Sequence, residues 1–336
     1  MMKSDTFSYY LTRYFAEYLP NQTAASINTI HSYRDTFVQL MEFYKTIYRI
    51  LPEKLEYKHF TLERIEEFLE YLETTRKIGI STRNQRLAAI HSFFRYIQYR
   101  DPAGFTQCAE ILSVPFKKAA VSPMNYMNID EVTLLFSIPD QNDKMELRDL
   151  SILVLLYESG ARVQELIDLC PARVRFGATT VVELHGKGNK TRLVPINANA
   201  AGIIKNYMSS HGRKDVSKPL FVNRKGEKLT RAGIQYIIDK YVSMAKSKRS
   251  DLFTKRITNH CFRHSKAMHL LEAGVNLIYI RDFLGHTSVV TTEIYAKANP
   301  MIKREQLIKN SASIQVPKKY SQKEKSDMIE WLKKNL

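Results

Sequence analysis

The chain has 336 residues, 44% of them hydrophobic, which is enough for two domains with separate cores. Its net charge of +17 suits a polyanionic partner, although ribosomal, membrane-surface and nucleic-acid proteins share that feature. The sequence has no apolar run of about 18 residues, so we expect no membrane span. Three scattered cysteines without metal-ligand spacing, and no secretion-signal pattern, favour a reduced cytoplasmic protein without a metal site.

Nearly all of the excess positive charge lies in the second part of the chain. Residues 1–112 hold 14 Lys and Arg against 13 Asp and Glu, whereas residues 113–336 hold 37 against 21. A solvated basic surface would give the same counts, so the charge alone does not identify a polyanion-binding protein.

Residues 7–110 are predicted to be helical. Aromatic and aliphatic residues recur at spacings of three and four from Phe7 to Tyr18, which marks one apolar helix face. The same rhythm predicts helices over Asn28–Tyr48, Thr61–Glu73 and Ser81–Tyr99, with Thr61 as an N-cap. We interpret the aromatics as core rather than as a base-stacking platform.

Basic residues at the start of the fourth predicted helix, and in the segment that follows the N-terminal helices, are candidate DNA contacts. Arg83 and Arg86 share a helix face and could meet phosphates or base edges, but a plain exposed helix start is equally compatible. Pro115 and Pro123 interrupt the helical pattern, which predicts an interdomain linker over residues 113–128. Lys117 and Lys118 would make this linker basic where it spans DNA.

A second unit begins near residue 129, with Asn128 or Asp130 as the predicted N-cap of its first helix. The strongly apolar stretch 148–159 predicts a buried helix. Val181–Leu184 and Arg192–Ile196 predict two strands joined as a β-hairpin by the turn-rich segment 185–191, and the remainder is predicted to be helical.

Two arginine motifs are candidate phosphate clamps. Arg162 and Glu165 are three residues apart, so the glutamate could orient the arginine, although a weak surface pair gives the same pattern. His260 and Arg263 lie one turn apart on one predicted helix face, with Cys261 and Phe262 pointing toward the core. Arg263 can present a bidentate fork to phosphate oxygens, yet this spacing alone is common.

Three further residues could take part in the same chemistry. Lys187 lies between two glycines at the hairpin tip and could be a general acid or a solubilising charge. Gly285 is a predicted helix stop, and His286 follows it in the turn. Tyr295 comes nine residues later, where a tyrosine is by itself more often a packing residue than a nucleophile.

These motifs, in this order, resemble the catalytic half of the tyrosine recombinases, the integrase and Xer-type family. The resemblance rests on the segments 259–264, 283–286 and 291–295, and it extends back through 187–195 to 160–166. It covers nearly all of residues 129–300, and the N-terminal helices resemble the core-binding domain of the family more loosely.

The resemblance implies a mainly α fold with a small β-sheet in two domains. These are a helical SAM-like core-binding domain over 1–112 and, after the linker, an α+β catalytic domain over 129–312. We expect the remaining tail, 313–336, to contact another protomer through its short amphipathic helix, which carries Trp331.

Residue by residue, the resemblance makes Tyr295 the nucleophile of a site-specific DNA recombinase that forms a 3′-phosphotyrosine intermediate. The other residues that it makes catalytic are Arg162, Lys187, His260, Arg263 and His286. Glu165 matches a supporting acidic position, and Lys190 is a further expected DNA contact.

The implied partner is double-stranded DNA, bound by a homotetramer on two sites, with an accessory DNA-bending protein allowed and no membrane involved. No metal or cofactor is implied. The expected location is the bacterial cytoplasm, with nucleoid association when the protein is bound to DNA.

The sequence leaves the biological role open. The long tail favours integration, excision or transposition of a mobile element, and Xer-type dimer resolution is the alternative. A type IB topoisomerase shares the chemistry. A catalytically silent DNA-binding regulator would be expected to lack a catalytic group, and none is missing here.

Overall fold

The computed structural model describes residues 7–120, 123–186, 190–212, 218–286, 288–298 and 322–335. The chain divides into two compact units, Met1–Ser122 and Pro123–Leu336. Within the described residues, no helix combines the length and the apolar character that crossing a bilayer requires.

The first unit is helical, as the apolar spacing predicts. Its helices are α1 Phe7–Arg13, which continues as a π-helix over Tyr14–Gln22, then α2 Ile27–Ile47, α3 Leu62–Thr74, α4 Ile80–Gln98 and α5 Phe105–Leu112. Short 3₁₀ turns at Pro52–Lys54, Tyr57–His59 and Pro102–Gly104 connect them. The predicted N-cap is confirmed, because the Thr61 hydroxyl accepts a hydrogen bond from the backbone N–H of Arg64.

Aromatic side chains form much of the core of the first unit, so their interpretation as core is confirmed. Phe7, Tyr14, Phe37 and Phe93 are all buried. The ring of Phe93 meets Tyr14 edge-on at 5.2 Å between centroids and Phe37 at 4.9 Å. The Tyr14 hydroxyl donates to Ser92 on α4 at 2.7 Å, so its one polar atom is also satisfied.

Arg83 and Arg86 point inward from α4 and bind backbone carbonyls. Arg83 is only 5% exposed and donates to the carbonyl of Pro115 at 3.1 Å. Arg86 donates to the carbonyl of Ser32 on α2 at 3.0 Å. Both guanidiniums therefore hold the first unit together, and a DNA contact by either one stays a prediction that would require these bonds to break.

The second unit contains the rest of the described helices and the only sheet among the described residues. Its first helix is α6 Ile129–Phe136, and the predicted cap is confirmed as a capping box, with Asn128 and Glu131 each accepting from the backbone N–H of the other. The remaining helices are α7 Lys144–Glu158, α8 Val163–Ile167, α9 Ala198–Ser210, α10 Arg231–Lys248, α11 Asn259–Glu272, α12 Leu277–Leu284, α13 Glu293–Ala298 and α14 Gln322–Asn335.

The sheet is antiparallel, with strand order β1 Val174–Arg175, β2 Thr180–His185, β3 Thr191–Ile196. Strands β2 and β3 form the predicted hairpin, with Val182 opposite Val194, and the N–H of Gly186 closes it on the carbonyl of Lys190 at 2.8 Å. Strand β1 escaped prediction because two residues are too short to show an alternating pattern.

Helix α7 is the centre of the second unit. Every residue from Leu147 to Glu158 is buried, so the stretch predicted as a buried helix is confirmed, and α9 and α11 pack against it. The tail helix α14 differs, because Met328, Ile329, Trp331 and Leu332 are all exposed on it.

Candidate active site

Arg162 is the residue before a short helix, and its backbone is hydrogen-bonded to a side chain of that helix. It directly precedes α8, and its backbone N–H donates to Oε2 of Glu165 at 2.7 Å. Two residues earlier, Gly160 has a φ of +54°, a left-handed conformation that disfavours a side chain, and a Cβ there would lie 2.8 Å from the ring of Phe283. The chain therefore turns sharply between α7 and Arg162, which sets the direction of the arginine.

Glu165 is a buried carboxylate held between two guanidiniums. Its Oε1 accepts from Nη1 of Arg162 at 2.9 Å and from Nη1 of Arg192 at 2.9 Å, and its Oε2 accepts from Nη2 of Arg192 at 2.7 Å. Its side chain is only 3% exposed. Burial by itself raises the pKa of Glu165, but the bonds and charges of Arg192 and Arg162 outweigh burial, so its pKa lies below the ordinary value.

Arg263 is enclosed by backbone carbonyls. From α11 it donates through Nη1 to the carbonyl of Gly160 and through Nη2 to that of Leu284, both at 2.6 Å. Burial, with the nearby charges of Arg162 and Arg192, lowers the pKa of Arg263 to about 9, so the guanidinium stays charged at neutral pH.

The predicted His260–Arg263 motif is therefore split by burial. Cys261 and Phe262 point into the core as expected, and His260 is exposed, but Arg263 is only 4% exposed. The buried arginine satisfies two carbonyls while the exposed histidine, one turn earlier on α11, is open to an incoming ligand.

The turn after α12 brings the two arginines together. Arg263 binds the carbonyl of Leu284, and Arg162 reaches the next carbonyl, that of Gly285, at 3.5 Å. Gly285 has a φ of +64° and ends α12, as predicted. His286 follows directly, so three predicted site residues meet at one turn.

His286 is attached in turn to the segment that carries Tyr295. Its Nδ1 lies 3.0 Å from the hydroxyl of buried Thr292, whose carbonyl accepts from the N–H of Tyr295 at 3.1 Å. Burial and the charges of Arg263 and Arg162 lower the pKa of His286 to about 4, so the ring is neutral near pH 7.

Tyr295, on α13, is withdrawn from solvent. It is 1% exposed, and its hydroxyl lies 3.2 Å from Nδ1 of His264 on α11. Burial raises the pKa of Tyr295, and the charges of Arg263 and Arg162 partly oppose that rise. Both arginines therefore lie within electrostatic range of the phenol.

The same two arginines act on His260. Partial burial of the His260 ring, with the charges of Arg263 and Arg162, lowers the pKa of His260.

Lys187, the predicted general acid, lies outside the described residues. Gly186, the residue before it, lies against Glu165 and Arg162. A Cβ at Gly186 would lie 3.0 Å from Oε1 of Glu165 and 3.6 Å from Nη1 of Arg162. The backbone leading into residue 187 is thus in contact with the site.

The other basic residues expected to contact DNA differ in their surroundings. Lys117 pairs with Glu73 at 2.6 Å, and its backbone N–H donates to Asn84. Lys118 and Lys190 are exposed. Among the described residues, no group of three His, Cys, Asp or Glu side chains could hold a metal ion.

Sequence reasoning gave no role to three residues that hold this site together: Arg192, His264 and Thr292. His264 could have been found, because it is four residues after His260 and so shares its helix face. Arg192 and Thr292 gave no such signal, because their partners, Glu165 and His286, are distant in sequence or lie across a turn.

We expect Glu165→Gln to lower the free energy of unfolding by about 3 kcal/mol, because the largely buried guanidinium of Arg192 and the half-buried one of Arg162 lose the charge that balances them. The matched control is Asp251→Asn, which removes an exposed ion pair with Arg249 and should change the free energy of unfolding little. Chemical denaturation of the full chain measures both.

The destabilisation caused by Glu165→Gln should depend on pH. The pKa of Glu165 is lower in the folded chain than its ordinary value of 4.5. Its stabilisation is therefore fully present above that value and is lost as the pH falls through the folded pKa. The gap between the wild type and Glu165→Gln should narrow below pH 4.5, and a gap that is constant with pH would contradict this assignment.

Comparison with known proteins identifies the family of this chain. The phage integrase family matches residues 125–301, and the phage integrase N-terminal SAM-like domain matches residues 11–103. A putative integrase/recombinase, y4rC of Sinorhizobium fredii, is 35% identical over 93% of each chain. Tyrosine recombinase XerC of Syntrophus aciditrophicus is 30% identical over 85% of this chain and 92% of its own.

The fold is also found among solved structures. The Tn1549 transposon integrase, in complex with transposon right end DNA, matches with a TM-score of 0.69 at 16% identity, over 89% of this chain and 98% of the other. The expected fold class, mainly α with a small β-sheet, made of a helical SAM-like domain and an α+β catalytic domain, is confirmed. This chain belongs to the phage integrase family and is a tyrosine recombinase, an enzyme of site-specific DNA recombination.

Proposed function

We propose that this recombinase cuts DNA with the hydroxyl of Tyr295 and reseals it through a 3′-phosphotyrosine intermediate. The observation that carries the proposal is the meeting of Arg162, Arg263 and His286 at the turn that ends α12, joined through Thr292 to the segment of Tyr295. These groups come from four separate parts of the chain, and ordinary packing does not require them to meet.

The arginines supply charge where the reaction creates it. Attack on a phosphodiester adds negative charge to the phosphoryl oxygens in the transition state, and fixed cations stabilise that charge most when they do not have to reorganise. Glu165 already holds Arg162, and the carbonyls of Gly160 and Leu284 already hold Arg263. His286, neutral in the free protein, would donate a further hydrogen bond to the same phosphate.

In the first step one bond to phosphorus forms and another breaks. The phenol oxygen of Tyr295 forms a bond to phosphorus, and its proton passes to or through His260, the exposed imidazole. The bond from phosphorus to the 5′ oxygen breaks, and Lys187 protonates that oxygen. The ester to tyrosine keeps the energy of the original linkage. The 5′-hydroxyl of another strand can then attack and release the tyrosine.

The buried position of Tyr295 fits a free enzyme that is not yet competent. A phenol that is 1% exposed cannot reach a phosphate, so DNA binding must bring its oxygen out. Segment 288–298, from the end of the turn through the short helix α13, is the part that would have to move.

Double-stranded DNA is the expected partner, and the Tn1549 transposon integrase is similar in fold and is seen bound to DNA. We extend this to a homotetramer on two DNA sites. The exposed apolar face of α14 is our candidate for the contact between protomers. An accessory DNA-bending protein would act on the DNA rather than on the active site.

For the biological role, we propose integration, excision or transposition of a mobile element. The extended match to a putative integrase/recombinase over 93% of the chain supports this role. Xer-type dimer resolution is the second candidate, supported by the match to XerC. The genes that flank the coding sequence would separate the two roles.

The nucleophile is tested with a nicked suicide substrate, in which loss of the short strand traps the covalent complex. Tyr295→Phe should abolish capture, whereas Tyr279→Phe, at a 70% exposed tyrosine on α12, should capture like the wild type. Capture by the Tyr295→Phe protein would move the nucleophile elsewhere. If the wild type captured no DNA on its own recombination site, a catalytically silent DNA-binding regulator would be favoured. Strand exchange between two sites would exclude a pure topoisomerase.

The general acid is tested by changing the leaving group. Lys187→Ala should slow capture at least about 100-fold on a normal phosphodiester, the usual size of general acid catalysis. A 5′-bridging sulfur leaves without a proton, so capture of that substrate should return to near the wild-type rate. Lys144→Ala, at the exposed start of α7, is the control and should be unaffected on both substrates. A defect that sulfur does not relieve would reject Lys187 as the acid.

The tail contact is tested by deleting residues 318–336. DNA binding to a single site should be retained, because the deletion leaves Arg162, Arg192 and Arg263 in place. Pairing of two sites should weaken. Native gel electrophoresis with one-site and two-site DNA distinguishes these complexes, and normal tetramer formation by the truncated protein would refute the contact.

A further inference from the structure

The hydroxyl of Tyr295 has one hydrogen-bond partner among the described residues, and it is not a predicted catalytic residue. Nδ1 of His264 lies 3.2 Å from the phenol oxygen, and the two ring centroids are 5.8 Å apart. His264 stands on α11, directly after Arg263 and one turn after His260. The contact therefore ties the short helix α13 to the helix that carries two predicted catalytic residues.

The rest of the tyrosine ring is enclosed by apolar side chains. Ala267 and Met268 from α11, and Ile280 and Leu284 from α12, are buried in the same cluster. Such surroundings hold the ring by burial but offer nothing to a hydroxyl, and an unsatisfied buried hydroxyl is costly. The imidazole of His264 is therefore what allows the phenol to be buried.

The acid–base state of both groups fits a bond in which the phenol donates. Burial, with the charges of His260 and Arg263, lowers the pKa of His264 to about 4, so its ring is neutral near pH 7. Burial keeps the pKa of Tyr295 above its ordinary value, so the phenol keeps its proton. With the His264 proton on Nε2, Nδ1 is free to accept.

We propose that His264 is a positioning residue that holds Tyr295 in a withdrawn resting state, by accepting the phenol hydrogen through Nδ1 until DNA binding releases it. The proposal rests on Tyr295 being the nucleophile. It gives two neighbouring imidazoles different roles, because exposed His260 faces the reaction, whereas half-buried His264 controls when the phenol becomes available.

Two substitutions at position 264 separate the hydrogen bond from packing. In His264→Asn the amide oxygen takes the place of Nδ1 and can still accept. In His264→Leu the volume is largely kept, but no acceptor remains. The Leu variant should therefore favour exposure of the phenol, and the Asn variant should behave like the wild type.

The first readout is the accessibility of the phenol without DNA. N-acetylimidazole acetylates tyrosine oxygens, and mass spectrometry of the peptide that contains Tyr295 gives its rate. Loss of one neutral hydrogen bond should raise that rate roughly fivefold in His264→Leu, while His264→Asn stays within about twofold of the wild type. Tyr279, exposed in the same chain, is the internal reference and should not change.

The second readout is the single-turnover rate of covalent capture on saturating nicked substrate. A resting-state restraint predicts that His264→Leu captures as fast as the wild type or faster, up to roughly fivefold. Unchanged acetylation in the Leu variant overturns the proposal, and so does an equal rise in both variants, which would mean packing alone. Slower capture in the Leu variant that Asn restores also overturns it, because His264 would then act in the reaction itself.

These outcomes are separable from failure of the proposed function. Acetylation of Tyr295 is measured without DNA and does not depend on which residue attacks the phosphate. If Tyr295→Phe still captures DNA, the nucleophile assignment fails, whatever the acetylation rates are. If Tyr295→Phe abolishes capture but the two position-264 variants acetylate alike, only the restraint fails.

Discussion

The buried carboxylate of Glu165 is the interaction on which the site depends. Two guanidiniums this close repel each other, and burying either one without compensation would be costly. Glu165 offers one oxygen to Arg162 and both oxygens to Arg192, so the pair of cations is stable before any phosphate arrives. One fixed anion thus joins the start of α8 to the hairpin strand β3.

Backbone carbonyls, rather than a carboxylate, hold the third arginine of the site, Arg263. Arg263 has no carboxylate of its own among its hydrogen-bond partners in the described residues, and it rests instead on the carbonyls of Gly160 and Leu284. A carbonyl holds a guanidinium without neutralising it, so Arg263 keeps a full positive charge for an incoming anion. Its two carbonyls belong to the turns after α7 and at the end of α12, so the arginine also fixes the distance between those turns.

Much of this could be predicted from the sequence because the signals were local. Helix periodicity, the caps at Thr61 and Asn128 and the stop at Gly285 depend on neighbours a few residues away. The linear motifs likewise identified the candidate catalytic residues. What could not be predicted depends on tertiary contacts. The inward direction of Arg83 and the ion pair between Arg192 and Glu165 become evident only in the folded chain, where distant segments meet.

The turn at Gly285 limits how this enzyme can be re-engineered. Its left-handed backbone already disfavours a side chain, and a Cβ there would lie 3.1 Å from Cδ and 3.2 Å from Nη1 of Arg192. Even a methyl group would press on the partner of Glu165, so a change at this position would be transmitted to the first arginine as well. Libraries that aim to alter the choice of DNA target should therefore keep residue 285 invariant and diversify solvent-facing positions elsewhere.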